Sequence, residues 1–386
     1  MTNATWSRRE LLGAIGATAG AWLAGPAVLL SRPTSAGRVA VGTCHEYGPE
    51  VVAVLARMFD QLGGLESLVR GKTVAVKFNL TGYGSDRVGH TPAELTHDTH
   101  PQVLGATVQL LGKAGAKRIR LLESPYNTAE PLEEFMLWLN WEPRDFLGAA
   151  PHVEFENTNY LGRGKKYSRF WVPGGGLMYK GYDLNHSYED CDVFVSVAKM
   201  KEHAAAGVTL SMKNCFGITP CTIYGDGAPE DEPSLVPHGG RGPFHDGNRV
   251  PPKSAPPLVN VNAPKQDGYR VPRVVADLVA ARPIHLAIID GIYTMTGGEG
   301  PWIEDRHHDV IHPGLLVAGT NCVATDAVCM ALMGFDPMAD RGTPPFETCD
   351  STLRLAEQLG VGTRDLNQIE VVGTPISKAR VNFRSA

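Results

Sequence analysis

The chain has 386 residues, 43% hydrophobic and 20% charged, a globular composition with ample material for a core. A net charge of −5, with no long run of one sign, excludes a global basic field for nucleic acid. None of the seven cysteines forms C-x-x-C, so ferredoxin-type iron–sulfur ligation and zinc ribbons find no support, and buried thiols are the expectation for most of them.

Residues 1–37 read as a signal peptide rather than as part of the fold. Ser7-Arg8-Arg9-Glu10-Leu11-Leu12 resembles the twin-arginine (Tat) export signal; Leu11 to Leu30 is moderately apolar, and Ala36 suits a small-residue cleavage site. This predicts recognition by the Tat machinery and a periplasmic or otherwise exported protein. The alternative is an uncleaved membrane anchor, since about 20 residues suffice to span a bilayer. Pro26 and several glycines make that span soft. The Tat route carries folded proteins, often with a cofactor inserted, so the signal is a weak argument for one.

From residue 38 to 386 the pattern is that of one α/β domain. Arg38–Gly42, Thr73–Phe78, Arg118–Leu122, Cys191–Val197, Ile284–Asp290, Leu315–Ala318 and Ile369–Val372 read as strands. Helical periodicity covers Glu50–Leu62, Gln102–Ala114, Asn321–Met333 and Leu353–Leu359. Strands alternating with helices predict a doubly wound, mostly parallel sheet with helices on both faces. Between Pro220 and Pro272 stand eleven prolines and many glycines with little periodicity, a long insertion read as either a lid over the sheet or a mobile surface loop.

Ligands in such sheets sit beyond the carboxyl ends of the strands. Lys77 and Asn79, Glu123, Lys199 and Lys201, and Asp290 all stand at such ends. Lysine is costly to bury unpaired, so Lys77, Lys199, Lys201 and Lys213 near one sheet mouth suit an anion. Asn214 adds hydrogen bonds, and Thr209 stands where Val208–Phe216 is expected to open a helix with free N–H groups. A desolvated lysine beside other cations has a lowered pKa and serves as base or nucleophile. The bland alternative is lysines at the rim paired with local acids such as Glu202.

His90, His97 and His100 cluster around Asp98, which suggests a divalent metal with His100 and His203 as ligands; loop histidines are more often surface or capping groups. Thr99 is the expected cap of the helix starting near Pro101. His203 is alternatively a general base poised near neutral pH. Asp290 opens a glycine-rich run containing Glu299, either a ligand loop or a flexible turn. Asp326, at the start of an apolar helix, either complements the helix dipole or faces the cleft.

Together VAVKFNL, GAKRIRLLES, VSVAKMKEHAAAGVTLSMKNCFGI, IIDGI…GGEGP and LLVAGTNCVATDAVCMALMGFDP span most of residues 73–373 and resemble the domain of unknown function 362 family. The resemblance implies no assigned general activity. Some members are fused to ferredoxin-like domains and carry an iron–sulfur label, which does not transfer to a chain without those cysteine motifs. The family's usual K-P-N has Phe78 in its middle position here, and Pro220–Pro272 is longer than the family pattern.

Two functions fit. One is an exported enzyme binding an anionic substrate or cofactor through Lys77, Asn79, Lys201, Thr209, Asn214, Asp290, Glu299 and Asp326, with His203, Lys199, Lys213 and Glu123 as the chemical groups. The other is a periplasmic anion or metal carrier, or an accessory protein for a redox enzyme, without catalysis.

Overall fold

The computed structural model describes residues 37–125, 128–161 and 166–384. The expected signal peptide, up to residue 36, lies outside the described residues. Eight strands form the main sheet among the described residues: β1 (Arg38–Thr43), β2 (Thr73–Phe78), β3 (Arg118–Glu123), β4 (Val153–Asn157), β5 (Val193–Lys199), β6 (Leu286–Gly291), β7 (Leu315–Gly319) and β8 (Glu370–Gly373). Their spatial order is β8-β1-β7-β6-β5-β2-β3-β4. Only β7 runs antiparallel to its neighbours, β1 and β6. The remaining pairs are parallel, so the sheet is mostly parallel as the alternation of strands and helices demands. From β2 the chain steps outward to β3 and β4, then returns to place β5 on the other side of β2. The order of strands reverses there, and the mouth between β2 and β5 is the position at which doubly wound sheets bind ligands.

Helices cover both faces. On one lie α1 (Pro49–Gln61) and α2 (Pro101–Lys113), whose buried residues join Val74, Val76, Phe78, Val193, Val195 and Val197 in one core. Helix α1 has Pro49 in its first turn and presents Val51, Val54, Leu55, Met58 and Phe59 at helical spacing. The cap of α2 is His100, whose Nδ1 accepts from the Gln102 N–H (3.1 Å), not Thr99. Thr99 instead accepts from the Asn79 N–H and donates to the Val197 carbonyl, tying the ends of β2 and β5 together. The other face carries α3 (Asp267–Ala281), α4 (Cys322–Leu332) and α5 (Thr352–Gln358) over Ala75, Phe194, Ala198, Ala287 and Ile289.

The Pro/Gly-rich segment is packed rather than loose. Phe244 is fully buried, and Val259 and Lys180 exchange backbone bonds across it with Met178 and Pro257. Its end was misjudged from sequence, because α3 begins at Asp267 and contains Pro272. The Gly268 carbonyl, which an amide at 272 would engage, accepts instead from the Asp350 N–H (2.9 Å) and from Arg341 Nη2 (2.8 Å), so the proline orphans no acceptor there. Among the described residues no disulfide joins any of the cysteines. Among the described residues no helix is long and apolar enough to cross a membrane.

Candidate functional site

Strand alternation decides which groups share the mouth. Along β2 and β5, residues 74, 76 and 78 and residues 193, 195 and 197 face α1 and α2, so Lys77 points to the opposite face, beside Ser196. There it meets the short helix Ser211–Asn214. Lys77 Nζ donates to the Glu123 carboxylate (2.8 Å), to Asn214 Oδ1 (2.9 Å) and to the Phe78 carbonyl (2.6 Å). Asn214 Nδ2 in turn donates to Ser196 Oγ (2.9 Å). Burial pulls the Lys77 pKa down and pushes that of Glu123 up, while each partner opposes the shift of the other.

These groups line a cavity of about 90 Å³ together with Asn79, Lys201, His203, Thr209, Lys213, Arg241 and Glu299. Lys201 is fully buried and donates to the carbonyls of His97 (2.6 Å) and Glu299 (2.8 Å); burial pulls its pKa down, to about 7. Lys213 is different. Its Nζ lies 4.1 Å from the centre of the Phe216 ring and has no hydrogen-bond partner among the described residues. It is half-buried by exposure, but the protein packed around it pulls its pKa to about 7, with Lys201 and Arg241 adding to the shift and Glu299 opposing it. Two more polar groups face the cavity unpaired: buried Asn79 Oδ1 and Thr209 Oγ1 find no partner among the described residues.

His203 completes the wall. Its Nδ1 accepts from the Ala205 N–H (3.1 Å), so in the neutral ring the proton sits on Nε2. Burial first, then Lys213, holds its pKa well below the ordinary value. The expectation of a general base poised near neutral pH is therefore corrected: His203 presents an N–H donor. Glu299 stands 3.6 Å from Nδ1, just beyond hydrogen-bond reach, and accepts from the Ala204 N–H (2.8 Å).

Four of the residues expected at the site stand elsewhere. Lys199 shares the face of Val197, opposite Lys77, and pairs in register with Asp290 (3.1 Å). Lys199 also donates to Tyr47 Oη and the Glu94 carbonyl, while Asp290 accepts from Tyr47 Oη and the His100 N–H. Both are fully buried and internally satisfied, a structural pair outside the cavity wall. Asp326 accepts from the N–H groups of Ser211 and Met212 (both 3.0 Å), so it holds the start of the short helix from below. The ring of His100 stacks on Tyr47 at 3.4 Å and lines a separate cavity beside α2. His100 and His203 are not brought together, and among the described residues no group of three His, Cys, Asp or Glu side chains is placed to hold a metal ion.

Arg241 was missed by sequence reasoning. It comes from the Pro/Gly-rich segment, and its Nη2 reaches the carbonyls of Thr219 (3.0 Å) and Ser124 (3.4 Å). Its φ of 53° is a left-handed conformation that a long side chain rarely adopts. Phe216 and Gly217 were within the quoted motif but without a role. A Cβ on Gly217 would lie 3.0 Å from Lys77 Cε and 3.1 Å from Glu123, so a side chain there would crowd the ion pair.

The chain is 24% identical over 288 residues to a thylakoid-associated protein of Synechocystis sp., a match covering 74% of this chain and 71% of that one. Among solved structures it is similar to the crystal structure of a protein from Thermotoga maritima (TM-score 0.37, 14% identity, 74% of this chain and 59% of that one). It is similar also to the lactate racemase apoprotein from Thermoanaerobacterium thermosaccharolyticum (TM-score 0.35, 11% identity, 72% and 54%). It thus spans less than two thirds of either solved chain. Residues 74–331, which include the β2–β5 mouth and every residue of the cavity wall named above, match the model of the domain of unknown function DUF362, and the chain belongs to that family.

Proposed function

We propose that the chain is an enzyme that moves a proton at the carbon beside a small carboxylate bound in this cavity, with Lys213 as the base. The observation that carries the reading is Lys213 itself, an amine among cations and without a described hydrogen-bond partner, facing the same cavity as the unpaired Asn79 and Thr209 side chains. Unpaired buried polar groups are costly, and a ligand that pairs with them gains what the fold leaves unmet. An amine with a pKa of about 7 is half unprotonated at neutral pH, which suits a base where an ordinary lysine does not. Arg241 supplies positive charge, and the His203 N–H a donor, for the carboxylate and for an enolate developing from it. Lys77, Glu123 and Asn214 hold one another and fix the floor.

The test is proton NMR of short carboxylates incubated in D2O with the full-length protein. Exchange of the hydrogen beside the carboxylate, absent with Lys213→Met, is the expected result. Binding without exchange for every carboxylate would make the protein a carrier or accessory protein. Carboxylate binding indifferent to Lys213→Met would remove the site.

A further inference from the structure

A second cavity, of about 490 Å³, adjoins the first. Thr81, His203, Lys213, Phe216, Arg241 and Glu299 line both. Beyond these shared residues the outer wall becomes aromatic, with Trp302 as its largest ring. Trp302 is 37% exposed, yet its position is built. A Cβ on Gly300 would lie 2.2 Å from the indole and one on Gly82 2.5 Å, so the ring occupies a slot that two glycines leave open. The imidazole of His97 meets it edge to face, with ring centres 5.4 Å apart and planes at 83°. His97 Nε2 is buried without a hydrogen-bond partner among the described residues, and an aromatic ring at this distance is a weak substitute for one. A tryptophan fixed in this way and left open toward a cavity is a platform.

The volumes divide the ligand. The inner cavity, at about 90 Å³ against about 490 Å³, is the smaller and suits a carboxylate and its neighbouring carbon. The outer one has room for a ring. We infer that the substrate carries a flat, conjugated ring next to its carboxylate, and that Trp302 is the specificity residue on which this ring stacks. The inference rests on the reading of the inner cavity as an anion site. Trp302 then acts on recognition, and the proton transfer stays with Lys213.

The experiment titrates acetate, phenylacetate and cyclohexylacetate into the full-length protein, following heat and tryptophan fluorescence. Aromatic pairs add about 0.5–1.5 kcal/mol beyond area burial, so phenylacetate is expected to bind about two- to twelvefold more tightly than cyclohexylacetate. In Trp302→Leu that preference should vanish, and in Trp302→Phe most of it should persist. Equal affinity for the phenyl and cyclohexyl acids overturns the inference, whether or not the leucine variant folds. If acetate binding still depends on Lys213 in that case, the inner site stands and only the platform falls. Failure of all three acids to bind overturns both.

Discussion

Lys199 and Lys213 bring the same charge to the same end of the sheet and meet opposite surroundings. Lys199 faces a carboxylate, a phenol and a carbonyl; Lys213 faces a ring and a cavity. Removing one member of a buried ion pair leaves the other uncompensated, at about 3–5 kcal/mol. Lys199→Met is therefore expected to lower urea-unfolding stability by that order while the surviving folded protein binds carboxylates normally. The sequence pattern alone had pointed the other way, to Lys199 as a binding group. Lys213→Met should leave stability unchanged or raise it at pH 7, because it removes a desolvated amine. The sign follows from linkage. The folded pKa of about 7 lies below the 10.5 of an ordinary lysine, so the unfolded chain binds the extra proton between those values. This group's contribution to stability consequently rises with pH from about 7 to 10.5, and a series of urea curves should show that slope lost in Lys213→Met. Exchange activity should climb about tenfold per pH unit below pH 7 and level off above it, as expected for a base that must lose its proton. A flat profile through pH 7 would remove Lys213 from that role.

At the scale of elements, the short helix Ser211–Asn214 is the hinge of the arrangement, because it carries Lys213 and Asn214 and rests on Asp326. Asp326→Ala leaves the N–H groups of Ser211 and Met212 without their acceptor, at about 1–3 kcal/mol for each buried group left unsatisfied. The expected outcome is a lower urea midpoint together with weakened carboxylate binding, two readouts that Lys199→Met separates. Normal binding in the Asp326 variant would mean that the helix is held by its other contacts. Much of this element was legible beforehand. The apolar run of β5 and the dense polar residues after it marked the mouth, but the alternation that puts Lys199 on the face of Val193, Val195 and Val197 was not applied to it, and it was placed with Lys77. The side of the sheet holding the cavity was not legible, since it depends on where the chain turns after Lys199. Asp326 was noticed for its place near a helix start, but it serves the start of a different helix, a long-range contact that no local pattern encodes. The Pro/Gly-rich insertion was carried as far as Pro272, past the start of α3, because the partners of the Gly268 carbonyl lie some 70–80 residues away in sequence.

For the whole molecule, we propose export by the Tat route, on the strength of Arg8 and Arg9 and the apolar stretch after them. Replacing both arginines by lysine should trap the precursor in the cytoplasm, read by fractionation; normal export of that variant would remove the reading. A protein exported folded arrives with its cavity already assembled, and one part of that cavity has a different history from the rest. The sheet mouth is made of strands bonded on both sides, whereas Arg241 is delivered by a stretch without long helix or strand, the part of the chain least readable from periodicity. The floor of the site, with Lys77, Glu123 and Asn214, is thus as durable as the fold itself. The guanidinium above it depends instead on the packing of its own segment around Phe244 and on the Thr219 and Ser124 carbonyls, so a change far from the sheet can remove one of the positive charges of the site.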